Sequence, residues 1–250
     1  MIEDLRNKIQ HYSVSSILKW KNCPRSWWVD KVLGMSKPPS EAASFGSQYD
    51  QLIAYKLGLK PADTRGDETP IEKQELAEGV EEAVNLYFEQ EHSVKKAIYA
   101  QKKIEIKPHE FTLFTEELGL VSKIQKPIIG YIDLLEQKGI QTSIVDLKTS
   151  SRKGMRADWA FQLLIYCVAM QIDFAKIHLC TKTKIPAFYQ YSVPVTKQSK
   201  IWALASFAWY ANQIEKALVN GSGEGLARNP DYWCSWCGEE QDCPARQIVG

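Results

Sequence analysis

The sequence lacks an excess of charge of either sign. Its 250 residues carry 31 Lys and Arg against 30 Asp and Glu, for a formal net charge of +1. This balance excludes a polybasic protein that binds nucleic acid through bulk charge, so a nucleic-acid site would have to be a local patch. The nucleotide-binding pattern Gly-x-x-x-x-Gly-Lys-Ser/Thr is also missing. We therefore expect no motor activity from this chain.

Long apolar runs are missing as well. No run reaches the roughly 18 to 20 residues of a membrane span, and the opening residues lack the basic-then-apolar order of a secretion signal. We expect a cytoplasmic protein that does not associate with membranes. Six cysteines are present. Without an export signal, reduced thiols or metal ligands are more plausible for them than disulfides.

The length and composition predict one globular domain over residues 1–250. Hydrophobic residues make up 44% of the chain, and we find no internal repeat or low-complexity tract. Within this domain the spacing of apolar residues predicts a helical N-terminal lobe over residues 12–100. Its predicted parts are two short helices broken near Pro24, a helix from Phe45-Gly46 to about Gly58, an exposed linker over 60–70, and a helix over 71–90.

The middle of the chain changes to a period of two, which is typical of strands. Residues 101–195 should hold the catalytic sheet and one buried helix, and residues 196–250 a long helix and an irregular, cysteine-rich tail. The predicted strands cover residues 103–106, 127–135, 140–148, 176–180 and 188–195, and the predicted helices 158–171 and 197–219. This order predicts an α/β fold with a mixed central sheet flanked by helices.

Two aspartates and a lysine are predicted to converge on the hairpin formed by the second and third strands. Asp146 and Lys148 are two residues apart and project to the same side of one strand, which Asp133 on the partner strand can also reach. Carboxylate oxygens suit Mg²⁺ or Mn²⁺, and an ammonium group can orient or activate water for attack on phosphate. The pattern indicates phosphodiester hydrolysis, although solvated, paired charges that close a strand share it.

The helix after this strand adds polar residues to the same region. Gln162 and Tyr166 are four residues apart, so they share one face of an otherwise apolar helix. Buried polar groups need partners, and an active site would supply them. The preceding loop carries Arg152, Lys153 and Arg156, which could hold phosphates. The alternatives are a surface glutamine beside a core tyrosine, and an ordinary solvated loop.

Three cysteines near the end of the sequence form a Cys-x-x-Cys-x-x-x-x-x-Cys pattern: Cys234, Cys237 and Cys243. Three thiolates this close would repel each other unless a metal neutralised them. Cys23, which precedes Pro24, is the candidate fourth ligand. Cys167 and Cys180 lie in a predicted buried helix and strand, where a thiol is usually a small apolar side chain. Four thiolates serve both zinc and iron–sulfur sites, so the pattern alone does not choose between them.

The segments Gly130-Tyr131-Ile132-Asp133, Val145-Asp146-Leu147-Lys148-Thr149 and Gln162-Leu163-Leu164-Ile165-Tyr166 resemble the PD-(D/E)XK nuclease core in its RecB-like form. The resemblance implies a restriction-endonuclease-like core. It also implies that Asp133, Asp146 and the Leu147 carbonyl bind the metal. Lys148 would then act in catalysis, and Gln162 and Tyr166 would position the DNA or the lysine.

One position departs from the family pattern. RecB-like nucleases usually begin a helix with Gly-x-x-x-His, whose histidine binds metal, whereas this chain has Gly46 followed by Asp50. An aspartate oxygen suits Mg²⁺ at least as well as an imidazole, so we include Asp50 among the expected ligands. The alternative is an aspartate near a helix N-terminus that faces the helix dipole. The histidines at 11, 92, 109 and 178 match no family position.

The order of an early Cys-Pro, the nuclease core and a C-terminal cysteine triplet is similar to the iron–sulfur nucleases. These include the CRISPR-adaptation exonucleases, the AddB nuclease domain and eukaryotic exonuclease V. The resemblance implies a structural [4Fe–4S] cluster that clips the two chain ends together through Cys23, Cys234, Cys237 and Cys243. We expect nearby aromatic residues to shield it, namely Trp27, Trp28, Tyr232, Trp233 and Trp236, and the alternative is that one or two of them stack on bases.

The sequence therefore predicts a metal-dependent deoxyribonuclease. By resemblance it would be an exonuclease on single-stranded DNA ends, with 5′ to 3′ polarity favoured, in recombination, repair or CRISPR spacer processing. One alternative is a subunit that works only when docked on an integrase or recombination partner. A second is a non-catalytic DNA-binding scaffold, and a zinc protein that regulates transcription is the least favoured.

Overall fold

The computed structural model describes residues 5–59, 71, 74–94, 96–231, 234, 237–239 and 243–245. The chain divides into two compact units, which we call unit 1 (residues 1–38, 105–129 and 201–250) and unit 2 (residues 39–104 and 130–200). The predicted linker over 60–70 and the aromatic residues Tyr232, Trp233 and Trp236 lie outside the described residues. The interpretation of the chain as one domain stays a prediction.

Seven α-helices and five strands form the described fold, after a 3₁₀ helix over Leu5–Lys8. The helices are α1 Val14–Asn22, α2 Pro24–Lys31, α3 Glu41–Lys56, α4 Val80–Glu89, α5 Pro108–Glu117, α6 Ala157–Met170 and α7 Lys197–Asn220. The strands are β1 Ala97–Ile106, β2 Ile128–Lys138, β3 Gln141–Ser150, β4 Ala175–Thr181 and β5 Phe188–Val193. No helix in the described part of the chain is long and apolar enough to cross a membrane.

Unit 1 is built from helices, and its opening confirms the predicted break near Pro24. Ser13 caps α1 by accepting a hydrogen bond from the backbone N–H of Ser16 at 3.1 Å. Cys23 ends α1 and caps α2, with its Sγ accepting from the N–H of Ser26 at 3.4 Å. Proline suits the next position because N–H groups in the first turn of a helix have no hydrogen-bond partner within the helix, so the N–H that proline lacks is not needed.

The core of unit 1 forms around the buried side of α7. Phe207 on α7 is fully buried and packs edge-to-face on Tyr12, with the ring centroids 6.2 Å apart. The ring of Phe111 on α5 lies 6.3 Å from it. Small residues on the same side of α7 allow this close packing, namely Ala203, Ala208, Ala211 and Ala217.

Unit 2 holds a mixed five-stranded sheet in the order β1-β2-β3-β4-β5. β2 and β3 form the predicted antiparallel hairpin, with Leu134 opposite Val145. β3 and β4 are parallel, and α6 provides the crossover between them, while β4 and β5 are antiparallel. This arrangement confirms the predicted α/β class with a mixed sheet flanked by helices.

The pleat of β3 separates its apolar from its charged residues. Val145 and Leu147 join an apolar cluster with residues of α3 and α4. Because successive side chains of a strand point to opposite faces, Asp146 and Lys148 lie on the other face, where α6 supplies Tyr166. The charged residues are therefore brought together by strand geometry rather than by a flexible loop.

Three predicted boundaries were wrong, and one helix was missed. Helix α3 begins at Glu41 because the hydroxyl of Ser40 accepts from the N–H of Ala43. Helix α4 begins at Val80 rather than near 71 because Gly79, with φ +84°, adopts a left-handed conformation. Strand β1 begins at residue 97 instead of 103, and α5 was not predicted.

Helix α5 does carry start signals in the sequence. Pro108 occupies its first turn, and the Glu110 carboxylate accepts from the N–H of Lys107 at 2.7 Å.

Candidate functional site

The hairpin of unit 2 brings Asp133, Asp146 and Lys148 together. The Lys148 ammonium donates to Asp146 Oδ1 at 2.8 Å and lies 2.7 Å from Oδ2. Asp146 is 2% exposed. Asp133 reaches across from β2, where its Oδ2 accepts from the backbone N–H of Leu147 at 2.9 Å. The three side chains predicted to share one site are therefore neighbours.

The charges of this cluster are strongly coupled. Burial raises the pKa of Asp146, and the Asp133 carboxylate raises it further against the opposing effect of Lys148. Burial by itself would lower the pKa of Lys148, but the carboxylates of Asp146, Asp133 and Asp50 raise it above its ordinary value. Lys148 therefore stays cationic at neutral pH, among three carboxyl groups.

One oxygen of the cluster lacks a hydrogen bond. Asp146 Oδ2 is buried and accepts none from the described residues, although the Lys148 nitrogen is close to it. Two carboxyl groups thus share one ammonium, and this donor set would be complemented by an added cation. Oxygen donors of this type fit Mg²⁺ and Mn²⁺.

A complete ligand set is not formed by side chains alone. In the described part of the chain, no three His, Cys, Asp or Glu residues are arranged to hold a metal ion. Mg²⁺ usually keeps several waters and binds one or two carboxylates together with substrate phosphates. Two adjacent carboxylates beside one lysine agree with that mode of binding.

Asp50 contributes to the same region from α3. It lines a cleft of about 280 Å³ together with Gly46, Leu147 and Lys148, and its charge contributes to the raised pKa of Lys148. The structure thus brings Asp50 near the lysine. One share of liquid water is about 30 Å³, so the cleft has room for a hydrated cation and a phosphate group.

Gln101 was missed by sequence reasoning. It lies within β1, lines the cleft of Asp50 and Lys148, and has φ +51°. A positive φ is uncommon for a residue other than glycine, and such conformations are concentrated at functional sites. No sequence signal marks it, because the distortion depends on how β1 fits the rest of unit 2.

The predicted pair on α6 also lies beside the cluster. Gln162 Nε2 donates to the Tyr166 hydroxyl at 3.2 Å. Burial raises the pKa of Tyr166 to about 12, and the Asp146 carboxylate adds to this effect. The Tyr166 ring lies against Gly130 of β2, where a Cβ atom would be 2.6 Å from Cε1 and 2.9 Å from the hydroxyl. Glycine at position 130 is thus required by the ring of Tyr166.

The basic loop is ordered by contacts of its own. Gly154, with φ +114°, donates its N–H to the Tyr191 hydroxyl at 3.1 Å. Arg156 lies 3.7 Å from Asp158 and over the ring of Trp159. Arg152, Lys153 and Arg156 are exposed. The described residues that line the cleft of Asp50 and Lys148 include none of these three.

The four predicted cysteines surround one small cavity in unit 1. Cys23, Cys234, Cys237 and Cys243 all line it, and all four thiols are free. Cys234 Sγ accepts from the N–H of Asp231 at 3.4 Å, as Cys23 does from Ser26. Backbone donors of this kind also stabilise thiolates in metal sites.

Several contacts hold the segment after α7 against the cysteine-bearing start of α2. The Glu239 carboxylate accepts two hydrogen bonds from Arg25 Nε, at 2.8 and 3.1 Å, and a third from its Nη2. The N–H of Arg25 also donates to the Ala227 carbonyl at 3.2 Å. At Gly238 a Cβ atom would lie 2.0 Å from the Met35 carbonyl oxygen, so only glycine allows this approach.

The remaining predicted residues lie elsewhere. Trp27 and Trp28 are buried, with Trp27 donating to Ser16 and Trp28 packing against Gly223. They do not line the cysteine cavity among the described residues.

The other two thiols and the histidines have no counterpart at either site. Burial raises the pKa of Cys167 to about 12 and of Cys180 to about 11, as expected for inert core thiols. His178 is buried between Tyr87 and Gln190, and burial lowers its pKa to about 4, so it is a neutral core residue. His11, His92 and His109 are exposed.

Comparison with known families agrees with this geometry. A model of the PD-(D/E)XK nuclease superfamily matches residues 11–244. The chain belongs to the PD-(D/E)XK nuclease superfamily. Members of this superfamily generally use divalent metals such as Mg²⁺. Membership of the superfamily also implies that DNA is the substrate. The RecB-like, iron–sulfur subtype stays a prediction.

One solved structure shows the same fold. The chain resembles the crystal structure of a candidate exonuclease from Eubacterium rectale, with a TM-score of 0.59 and 15% identity over 99% of this chain and 91% of that one. It also aligns with the structure of SSO0001, with a TM-score of 0.43 and 13% identity over 97% of this chain and 95% of that one. No curated protein matches. At these identities the likeness shows the fold alone.

The contact between Gly130 and Tyr166 leads to a test by a double-mutant cycle. Gly130→Ala should lower the free energy of unfolding by about 1 to 3 kcal/mol because the added methyl group overlaps the tyrosine ring. In a Tyr166→Ala background the same change should cost little, since the ring is gone. Urea unfolding followed by circular dichroism measures both.

Gly225→Ala is the matched control, because a Cβ atom there meets nothing within 4 Å. An equal cost of Gly130→Ala in both backgrounds would show that the tyrosine ring is not what requires glycine.

Proposed function

We propose that this protein is a metal-dependent DNA exonuclease that acts on single-stranded ends, with 5′ to 3′ polarity favoured. The observation that carries the proposal is the buried Asp146 carboxylate beside Asp133 and Lys148, in a chain of a nuclease superfamily. Strand preference and polarity follow the resemblance to RecB-like nucleases.

The metal would be held by Asp133, Asp146, the Leu147 carbonyl and Asp50. When bound, Mg²⁺ or Mn²⁺ supplies a Lewis acid for the phosphodiester and lowers the pKa of water. The donor set is all oxygen, which suits both ions. Three carboxylates around one ammonium leave an excess negative charge that a divalent cation would balance.

Lys148 is the residue that acts on the reacting phosphate. Held cationic by its neighbours, its ammonium donates to a water or to a phosphate oxygen and stabilises the negative charge that develops there. Tyr166 and Gln162 hold this side of the site in place through their own hydrogen bond. Arg152 and Lys153, being exposed, contact backbone phosphates of the strand.

Exchange of the lysine tests the catalytic proposal. Lys148→Gln should lower metal-dependent cleavage of end-labelled single-stranded DNA at least about 100-fold, because the charge that meets the phosphate is lost. Labels at either end report the polarity of degradation. The measurement compares rates with Mg²⁺ and with Mn²⁺.

Unit 2 offers a closely matched control. Lys176 pairs with Glu136 at 2.7 Å, the same distance as between Lys148 and Asp146 Oδ2. The side chains of Lys176 and Lys148 are also equally exposed, at 22%. Lys176→Gln therefore removes a similar ion pair outside the cluster and should leave the rate unchanged. Equal losses in both variants would contradict a catalytic role for Lys148. Intact DNA with the wild-type protein would favour the scaffold or partner-dependent alternatives.

We further propose that Cys23, Cys234, Cys237 and Cys243 hold a [4Fe–4S] cluster. Their shared cavity and the N–H donors to two of the sulfurs support this assignment. Each cysteine of such a cluster binds a different iron, so the four sulfurs need not meet at one ion. When bound, the cluster would tie residues near the two ends of the chain together and restrict the unfolded state.

Cysteine exchange tests the cluster. Cys23→Ala and Cys237→Ala should each lose most of the iron and the brown absorbance of anaerobically purified protein, because a four-thiolate set becomes incomplete. Cys167→Ala is the control and should retain both, since this thiol lies in α6 of unit 2. Bound zinc without iron, or full iron content in Cys23→Ala, would refute the assignment.

A further inference from the structure

Helix α7 exposes two indoles on one side. Trp209 is 59% exposed and Trp202 is 44% exposed, whereas large apolar residues of α7 such as Phe207 are buried in the core of unit 1. The two tryptophans are seven residues apart, so they lie on one face of the helix, roughly 10 Å apart along its axis. The Trp209 indole is held edge-on against Tyr210, with the ring centroids 4.8 Å apart.

A polar cleft lies on the same helix. It has a volume of about 950 Å³, and α7 contributes Asn212, Lys216 and Asn220 to its lining. Lys216 follows Trp209 by seven residues, so the indoles and the cleft lie along one side of α7. Arg6 and Lys126 line the cleft from other segments of unit 1.

The described lining of the cleft carries more positive than negative groups. Among the described residues, it has the cations Arg6, Lys126 and Lys216 and the carboxylate Glu215. That carboxylate accepts a hydrogen bond from the buried Tyr12 hydroxyl and pairs with Lys126. The glutamate is thus held by Tyr12 and Lys126, and the ammonium of Lys216 in the same cleft favours an anion.

We propose that the indoles of Trp202 and Trp209 and the adjoining cleft form a binding surface for single-stranded DNA, separate from the carboxylate cluster of unit 2. Exposed aromatic rings stack on unpaired bases, while lysine, arginine and amide groups hold the phosphates. A duplex hides its base faces, so the indoles select a single strand. The 10 Å between the indoles corresponds to about three stacking steps of about 3.4 Å.

The inference rests on the proposed function only because that function suggests single-stranded DNA as the ligand. The test measures binding under conditions without cleavage. The full-length protein, with no divalent cation added, is titrated into a fluorescein-labelled oligodeoxythymidine of about 16 nucleotides. Trp209→Ala should weaken binding about tenfold, whereas Trp209→Phe, which keeps an aromatic face, should retain most of the affinity. Binding to a duplex should not change.

The lysine variants test the phosphate contact independently. Lys216→Gln should weaken binding and lower the slope of log affinity against log salt concentration by about one, while Lys216→Arg should keep both. Strands that carry 5-iododeoxyuridine should cross-link within the tryptic peptide of residues 201–216, which contains both indoles.

Three results would overturn the inference. The first is unchanged affinity in both Trp209→Ala and Lys216→Gln, and the second is cross-linking confined to other peptides. The third is that the wild-type protein is a dimer, and that Trp209→Ala makes it a monomer without changing its affinity for DNA. The indoles would then join two copies of the chain. If this surface binds single-stranded DNA but the protein cleaves no DNA with Mg²⁺ or Mn²⁺, the proposed function is wrong and the inference about this surface still holds.

Discussion

The arrangement of unit 2 depends on the pairing of the Lys148 ammonium with buried carboxylates. Breaking a buried ion pair leaves an uncompensated charge, and such pairs are often no more stabilising than apolar residues of the same size. Asp146 lies beside Asp133, whose carboxylate raises the pKa of Asp146. A buried ion pair is therefore weak evidence for a stabilising role, and the cluster is better explained by what it binds.

The cluster is carried by elements of unit 2 that are held in place by apolar packing and by the sheet. The apolar residues of β3 pack against α3 and α4, which fixes the opposite face of the strand. Helix α6 crosses from β3 to β4, and Gly130 leaves the room that the Tyr166 ring occupies. The site is therefore carried by a sheet and two helices, which hold functional groups more precisely than loops do.

Unit 1 has a different physical basis. Its helices pack on the buried side of α7, and its four cysteines gather where the segment after α7 meets the start of α2. The ion pair of Arg25 with Glu239 and the close approach at Gly238 hold that junction together. A bound cluster would reinforce contacts that the protein atoms already make.

The sequence was informative where structure follows from local rules. Alternation along β3 predicted that Asp146 and Lys148 share a face, and the short connection at Gly139, with φ +63°, predicted the hairpin. The cysteine pattern predicted which thiols would gather. By contrast, the backbone of Gln101 and the contact of Gly130 with Tyr166 depend on residues distant in sequence, so no local pattern announces them.

The exposed indoles of α7 are a related case. The sequence predicts a long helix there, but periodicity alone does not tell which tryptophans the core of unit 1 leaves uncovered. The start of α4 was predicted too early because the apolar spacing already begins upstream of Gly79, whose left-handed backbone marks the actual start of the helix.

We propose that Asp133 and Asp146 hold a divalent cation beside Lys148. Anomalous diffraction from crystals soaked in Mn²⁺ tests it directly. One strong manganese peak is expected in contact with both aspartates, with the lysine nitrogen no longer on Asp146 Oδ2. A manganese peak confined to other residues, with the pair of Lys148 and Asp146 intact, would contradict it.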